Sequence, residues 1–352
     1  MSFPKFEEKE PVKKHPKPVY PVIDGYELTQ DWGTKGAGTS RWAFAMKDGR
    51  EYFIKEFPSP IFPTSPDLPE AVIERKRNLC YRFYATKKRL YDEIAKCGDK
   101  NIIGMKDFFP YNAKYYLVTE KVKDSGVSMK EISELPEETK LRLLLKLASS
   151  MERLQERKIV HADIKPSNIM LQKDRRGELI PRIIDFDAGY LEGLQPPADK
   201  MGGDFAYLAP ETCQYMCGEE VQLTTKVDVF ATGIIFHQYM TGVAPEFEII
   251  EQADDAGNKQ ETAEPKLSDQ LTSAMKQLIG GMLLSDAKRR TSMSDVVKKL
   301  QGILEPPLPL KPKPEDEPES AGTPTRSAVS GQLVSTFGRK KKKPNVEFYK
   351  AK

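Results

Sequence analysis

Three side chains able to do chemistry lie close together in the stretch His161-Ala-Asp163-Ile-Lys165-Pro-Ser-Asn168. A little further on, Ile183-Ile-Asp185-Phe186-Asp187 adds two more carboxylates. An Asp, a Lys and an Asn on one short segment, with a second Asp on the next, match what phosphoryl transfer from a nucleotide requires. That reaction needs a carboxylate to orient the attacking hydroxyl, a cation for the phosphates, and an Asn/Asp pair to hold metal ions. Singly these residues say little, because Asp and Asn also populate ordinary turns. Their joint spacing is what carries the signal.

The elements that must hold these residues can be read from pattern. Strand-like runs cover 41–46 and 51–57, joined by a tight turn at Asp48-Gly49, with a Gly-rich turn before them. Five prolines between Pro58 and Pro69 impose a loop. Residues 71–97 read as one long charged helix, and 106–109 and 115–119 as two more strands. Beyond them the chain turns helical. Pro136-Glu-Glu opens a helix whose apolar residues Leu141, Leu144, Leu145, Ala148, Met151 and Leu154 recur at helical spacing. A buried helix is predicted near Asp228, and two more over 268–283 and 292–304. Strands first and helices after predict an α+β, two-lobed architecture.

At these residues the sequence resembles the protein kinase family, whose catalytic loop reads H-R-D-x-K-x-x-N and whose metal motif reads D-F-G. The resemblance runs from about Tyr26 to Leu304 with the motifs in family order. It implies a small β-rich N-lobe with one long helix and a larger helical C-lobe. It casts Asp163 as catalytic base or hydroxyl-orienting residue and Lys165 as the cation for the transferring phosphoryl group. Asn168 and Asp185 become the Mg²⁺ ligands. Lys55 resembles the phosphate-anchoring lysine of the third strand, with Glu93 of the long helix as its expected partner and Glu74 as a second choice. Gly36 and Gly38 resemble the first two glycines of the loop that covers the nucleotide phosphates, where backbone N–H groups approach the anion. The hinge-like run Thr119-Glu120-Lys121-Val122 implies that backbone groups of Glu120 and Val122 hold adenine, with Thr119 behind it. Ala209-Pro210-Glu211, Asp228 and Arg290 resemble the structural frame of the C-lobe, with Glu211 and Arg290 as a buried ion pair.

The sequence also departs from the family pattern. Arg41 stands at the third glycine, Ala43 at the usual valine, and Phe53 where a small residue faces adenine. Ala162 replaces the Arg of H-R-D and Asp187 the Gly of D-F-G. Asp204 replaces a Thr that bridges the catalytic Asp and Lys, and is placed to pair with Lys165. The leading reading is an ATP- and Mg²⁺-dependent serine/threonine protein kinase acting on a protein substrate. Two others stay open: a small-molecule kinase of aminoglycoside or choline type, which Asp187 suits, and a nucleotide-binding pseudokinase scaffold.

The bulk properties agree with an enzyme of this size. The 352 residues suffice for a two-lobed domain at 22–305, divided at 121/122, between an N-terminal arm (1–21) and a Pro/Ser/Lys-rich tail (306–352). A formal net charge of +3 is too small to imply nucleic acid. Four cysteines are too few for a disulfide framework and suggest a reducing compartment, so a cytoplasmic location is expected. Cys213 and Cys217 have no second Cys/His pair nearby and read as ordinary thiols. The N-terminus lacks the apolar core of a signal peptide, and no run approaches the ~20 apolar residues of a membrane span. The basic run Arg339, Lys340, Lys341, Lys342 and Lys343 is a solubilising tail or a weak anionic docking site.

Overall fold

A computed structural model describes residues 19–35, 40–65, 67–253 and 259–305. Most of the predicted arm, the predicted tail with its basic run, and Gly36 and Gly38 lie outside these residues.

The first part of the chain builds one antiparallel sheet. Its strands are β1 (Val22–Ile23), β2 (Tyr26–Leu28), β3 (Arg41–Lys47), β4 (Arg50–Phe57), β5 (Met105–Tyr111) and β6 (Lys114–Glu120), in the order β1-β2-β3-β4-β6-β5. Two tight turns set its registers. Asp48-Gly49 joins β3 to β4, and Asn112-Ala113 joins β5 to β6, all four with positive φ. Period-two alternation then divides the side chains. On one face Ala43, Ala45, Ile54, Tyr116 and Val118 close a small core with Tyr26 and Leu28. On the other, Phe57, Phe108 and Tyr115 meet the long helix α1 (Glu70–Ala95).

Helix α1 starts after Pro69 and buries Cys80, Leu90, Tyr91 and Ile94, a stripe at helical spacing. The short α2 (Met129–Ser133) carries a capping box, Ser128 and Glu131 each bonding the other's backbone N–H. Helix α3 (Glu137–Glu156) buries Leu141, Leu144, Leu147, Ala148, Met151 and Leu154 as its periodicity predicts. Next come β7 (Ile159–Val160), the hairpin β8 (Ile169–Lys173) and β9 (Leu179–Ile183), and β10 (Tyr190–Leu191), which pairs antiparallel with β7. This pairing brings the two motif segments together.

Helix α4 (Pro210–Met216) has Pro at its first turn, where the missing N–H costs nothing. Helix α5 (Lys226–Thr241) is buried almost all round and stops at Gly242, a left-handed residue with φ 86°. The sequence reading placed no element after it, yet β11 (Glu246–Ala253) and β12 (Lys259–Lys266) form an eight-pair antiparallel ribbon. Helices α6 (Ser273–Met282) and α7 (Met293–Leu304) close the fold, capped by the Thr272 and Ser292 hydroxyls. The predicted start of α6 at Ser268 is five residues early, because Thr272 supplies the cap that fixes it.

The sheet and the helical part are stitched by backbone. Ile103 N–H donates to the Ile183 carbonyl at 2.9 Å, and Ile183 N–H to the Asn101 carbonyl at 2.8 Å. The segment between α1 and β5 is thereby fixed to the strand that leads into Asp185.

Candidate active site

The loop after β7 is held in place by a carboxylate beneath it. Asp228, on the first turn of buried α5, accepts the backbone N–H groups of His161 at 2.7 Å and Ala162 at 3.0 Å. Ala162 has φ 65°, a left-handed conformation disfavoured for a residue with a Cβ. Two hydrogen bonds to a buried carboxylate are strong enough to hold it there. His161 is fully buried and acts as a spacer between the two motif segments. Its Nδ1 lies 3.3 Å from the Asp163 N–H and its Nε2 3.0 Å from the Ile184 carbonyl. The first contact makes Nδ1 an acceptor, so the network assigns the ring proton to Nε2. The ring also packs on Phe186, with centroids 4.5 Å apart.

These supports present three sequence-predicted residues together. The Asn168 amide donates to the Asp163 carbonyl at 2.7 Å and to its carboxylate at 2.8 Å. Lys165 Nζ lies 2.9 Å from the same carboxylate. The other carboxylate oxygen of Asp163, Oδ1, is buried without a hydrogen-bond partner among the described residues. Asp185 follows at φ 64° and turns its carboxylate toward the sheet. There Lys55 Nζ, from β4, contacts Asp185 Oδ1 and Oδ2 at 3.1 and 3.0 Å across 130 positions of sequence. Asp163, Lys165, Asn168, Asp185 and Lys55 thus form one connected group.

Glu93 does not belong to it. Its carboxylate is held by Lys96 at 2.5 Å, with Arg157 at 3.9 Å, and Lys55 pairs with Asp187 Oδ2 at 2.6 Å instead. The helical stripe that faces the site runs through Cys80, Lys87 and Tyr91, and Glu93 falls beside it. The α1 residue that does reach the motif is Lys87, whose Nζ donates to the carbonyls of Asp187 at 2.5 Å and Phe186 at 3.3 Å. The sequence reading missed Lys87, although a lysine inside an otherwise apolar stripe was a visible signal.

The charges of this cluster follow from burial and pairing. Burial opposes the Lys55 ammonium, but Asp187 and Asp185 outweigh it and hold its pKa above the usual lysine value. The two carboxylates are driven apart. Burial and then the charge of Asp185 push Asp187 up, whereas Lys55 overcomes burial to hold Asp185 down. Burial lowers Lys87, which has only neutral carbonyls for hydrogen bonds.

The roof of the site differs from its expected register. Trp42 lies opposite Lys55, and Phe44 opposite Phe53, so these side chains share the Lys55 face. Ala43 pairs with Ile54 on the other face and is fully buried there. Assigning Ala43 to the family's valine position therefore sets the strand one residue out. Trp42 stacks on Phe53, at 5.6 Å and 24°, and donates its indole N–H to the Lys35 carbonyl. Gly33 pairs with Trp42 through both backbone bonds, and a Cβ there would lie 3.2 Å from the indole ring. Arg41, the supposed third-glycine departure, points away from the site. It forms a two-pronged ion pair with buried Glu56 at 2.8 and 2.9 Å, and Lys114 and Tyr116 join at 2.7 Å each. Trp32 lies under the same guanidinium, 4.8 Å from it.

At the predicted hinge, the Glu120 side chain is paired with Arg182 of β9, and Val122 is half-buried in the connector after β6. Asp204 does not reach Lys165. It is exposed and accepts the Ala206 N–H at 3.1 Å, while Lys165 is satisfied by Asp163.

The frame of the helical part matches its expectation. Arg290 Nη1 and Nη2 meet Glu211 at 2.6 and 3.0 Å, with both side chains buried. Arg290 also donates to the carbonyls of Leu284, Lys226 and Ser285.

The protein kinase domain family matches residues 84–300, well over half of the chain. The chain belongs to that family. Among curated proteins it is similar to the serine/threonine-protein kinase ULK3 of Mus musculus, 27% identical over 78% of this chain and 54% of the relative. It is similar also to MAP kinase-interacting serine/threonine-protein kinase 1 of Xenopus tropicalis, at 24% over 78% of this chain and 68% of the relative. Serine/threonine-protein kinase ATG1b of Arabidopsis thaliana is 31% identical over 43% of this chain and 21% of the relative. The chain thus spans between 21% and 68% of the length of these relatives. Among solved structures, the Cydia pomonella granulovirus kinase PK-1 shares the fold. Its TM-score is 0.54 at 16% identity, over 78% of this chain and 94% of that one.

Proposed function

We propose that the protein transfers the γ-phosphoryl group of ATP to serine or threonine hydroxyls of a protein substrate. The observation that carries the proposal is the convergence of Asp163, Lys165 and Asn168 with Asp185 and Lys55 from the opposite lobe. In this reading Asp163 accepts the hydroxyl proton or orients the hydroxyl, and Lys165 balances charge on the transferring group. Lys55 anchors the nucleotide phosphates. Backbone groups at Glu120 and Val122 hold adenine beneath Phe53, and Gly36 and Gly38 cover the phosphates. The names of the relatives, all serine/threonine kinases, support the acceptor class. The family match weighs against a small-molecule kinase.

The donor set suits Mg²⁺. Asp185 and Asn168 offer oxygen only, and buried Asp163 Oδ1 and Asp187 Oδ1 have no hydrogen-bond partner among the described residues. No cluster of three or more His, Cys, Asp or Glu forms a metal cage among the described residues. A hard cation that keeps waters and shares phosphate oxygens needs no such cage. When bound, the ion would neutralise charge on the phosphates. Asn168 and Asp185 would hold it, and Asp185 would then have to release Lys55.

The four cysteines are unpaired, which supports placing the protein in a reducing compartment, and we include a cytoplasmic location in the proposal. Among the described residues no helix is long and apolar enough to cross a membrane. Incubation with labelled ATP and Mg²⁺, offering generic protein substrates beside small-molecule acceptors, tests the reading. Label should appear on protein serine or threonine and be lost in Asp163→Ala. Label on the small-molecule acceptors alone, or none at all, would defeat it.

A further inference from the structure

Resting on the phosphotransfer reading, we propose that Asp187 is the residue that positions Lys55, and that Lys87 of α1 anchors the backbone carrying it. Helix α1 then contributes a cation to the site where a carboxylate was expected.

The Lys55 ammonium is 5% exposed and must keep a negative partner. It has two, Asp185 and Asp187. Asp185 is also the candidate cation ligand and cannot serve both duties once a metal–nucleotide complex is seated. Asp187 gives the shorter contact, 2.6 Å against 3.0 Å, and is free of that conflict. No acid on α1 competes for the task, because Glu93 is committed to Lys96 and Arg157.

Lys87 supplies the other half. Its bonds to the carbonyls of Phe186 and Asp187 fasten the motif backbone to the helix. Tyr91, one turn on, packs edge-to-face on Phe186, and Leu90 lies against Gly189. The helix therefore grips the loop, and the loop's Asp187 reaches back to the strand lysine. A motif glycine at 187 would leave Lys55 with Asp185 alone.

Kinetics and unfolding test this in the full-length protein. Asp187→Asn should lower kcat roughly 10²-fold, the scale that an ångström of misplacement costs, with much less change in KM for ATP. Moving the carboxylate to the helix, in Lys87→Glu/Asp187→Gly, should return most of the turnover that Asp187→Gly alone loses. Unchanged kcat in Asp187→Asn overturns the proposal. So does recovery of that variant by raised Mg²⁺, which would make Asp187 a metal ligand, or failure of the relocated carboxylate in a cooperatively melting protein. A readout independent of turnover is the melting temperature of Lys55→Met, Asp187→Asn and the pair. The two single losses should sum to more than the double loss, and simple additivity overturns the ion pair. If the unmodified protein transfers no phosphate, the phosphotransfer reading falls, and this cycle alone decides whether Asp187 holds Lys55.

Discussion

Asp163 carries two neighbours, Asn168 and Lys165, on one carboxylate oxygen and keeps the other buried and unpartnered, the arrangement of a group waiting for a hydroxyl. Asp163→Asn keeps the shape and removes the base, so we expect kcat to fall by about 10²–10⁴ with the melting temperature nearly unchanged. Steady-state kinetics beside a thermal melt checks both halves. Glu56, one position beyond Lys55 and on the opposite face, is a structural counterpart. Burial alone would raise its carboxyl, but Arg41, Lys114 and Tyr116 hold it below its ordinary value of 4.5. A carboxyl lowered by folding stabilises above its unfolded pKa and loses that contribution as pH falls through the folded one. Glu56→Gln should therefore cost about 1.5–3 kcal/mol near neutrality. Its deficit against the parent should shrink below pH 4.5, as denaturant melts across that range will show. At this scale the catalytic segment was legible because its members are neighbours in sequence and the loop's own backbone brings them together. The partner of Lys55 was not legible. It depends on which residue of a long helix faces a strand 130 positions from Asp185, and no local pattern encodes that register. The role of Arg41 was hidden for the same reason, since Glu56 meets it only through cross-strand pairing.

Among the elements, α5 is the one on which the catalytic loop, α6 and the Glu211–Arg290 pair converge. Gly233 lets α6 close on it. A Cβ at that position would lie 2.9 Å from Leu283 Cδ2 and 3.0 Å from Met282 Cβ. Gly233→Ala should cost about 1–3 kcal/mol by overpacking, despite alanine's better helix propensity. A chemical-denaturation midpoint decides, and a gain in stability would contradict the packing. The Glu211–Arg290 bridge fixes α4 to the loop before α7. Arg290→Met leaves a buried carboxylate without its partner and should cost about 3–5 kcal/mol. Arg290→Lys should recover little, because an ammonium cannot reproduce the two-pronged contact together with the three carbonyl bonds. Unfolding free energies of the two variants test the comparison. Helix α3 and the hairpin turns were legible, since apolar spacing and Asp-Gly signal them locally. The β11–β12 ribbon was not. Its alternation is diluted by Glu246, Glu248, Glu251, Glu261 and Glu264, and a two-stranded ribbon needs no continuous apolar face.

On the scale of the whole molecule, the sheet and the helical part are joined through the site itself, by Lys55 and Lys87 on one side and Asp185 to Asp187 on the other. That arrangement exists without any phosphate on the segment between Asp185 and Glu211. Ala162 offers no cation to receive one, and the segment's only hydroxyls are those of Tyr190, which is buried, and Tyr207, which is bonded to Gln238. We expect phosphatase treatment to leave turnover unchanged. Silencing that follows loss of phosphate mapped to this segment would contradict it. The two-part order of strands then helices was readable from the succession of patterns, whereas the way the parts clasp one another was not, because each bridge spans a long stretch of sequence. The aromatic roof has a further consequence. The chain has two tryptophans, and both sit in the sheet, Trp42 stacked on Phe53 and Trp32 beneath Arg41. Intrinsic indole fluorescence is therefore a private signal of one lobe, silent about the helices, which dominate far-ultraviolet circular dichroism. An adenine ring arriving under Phe53 would change the emission of Trp42 through a single stacked neighbour. The protein carries its own optical probe of nucleotide arrival, with no label to attach.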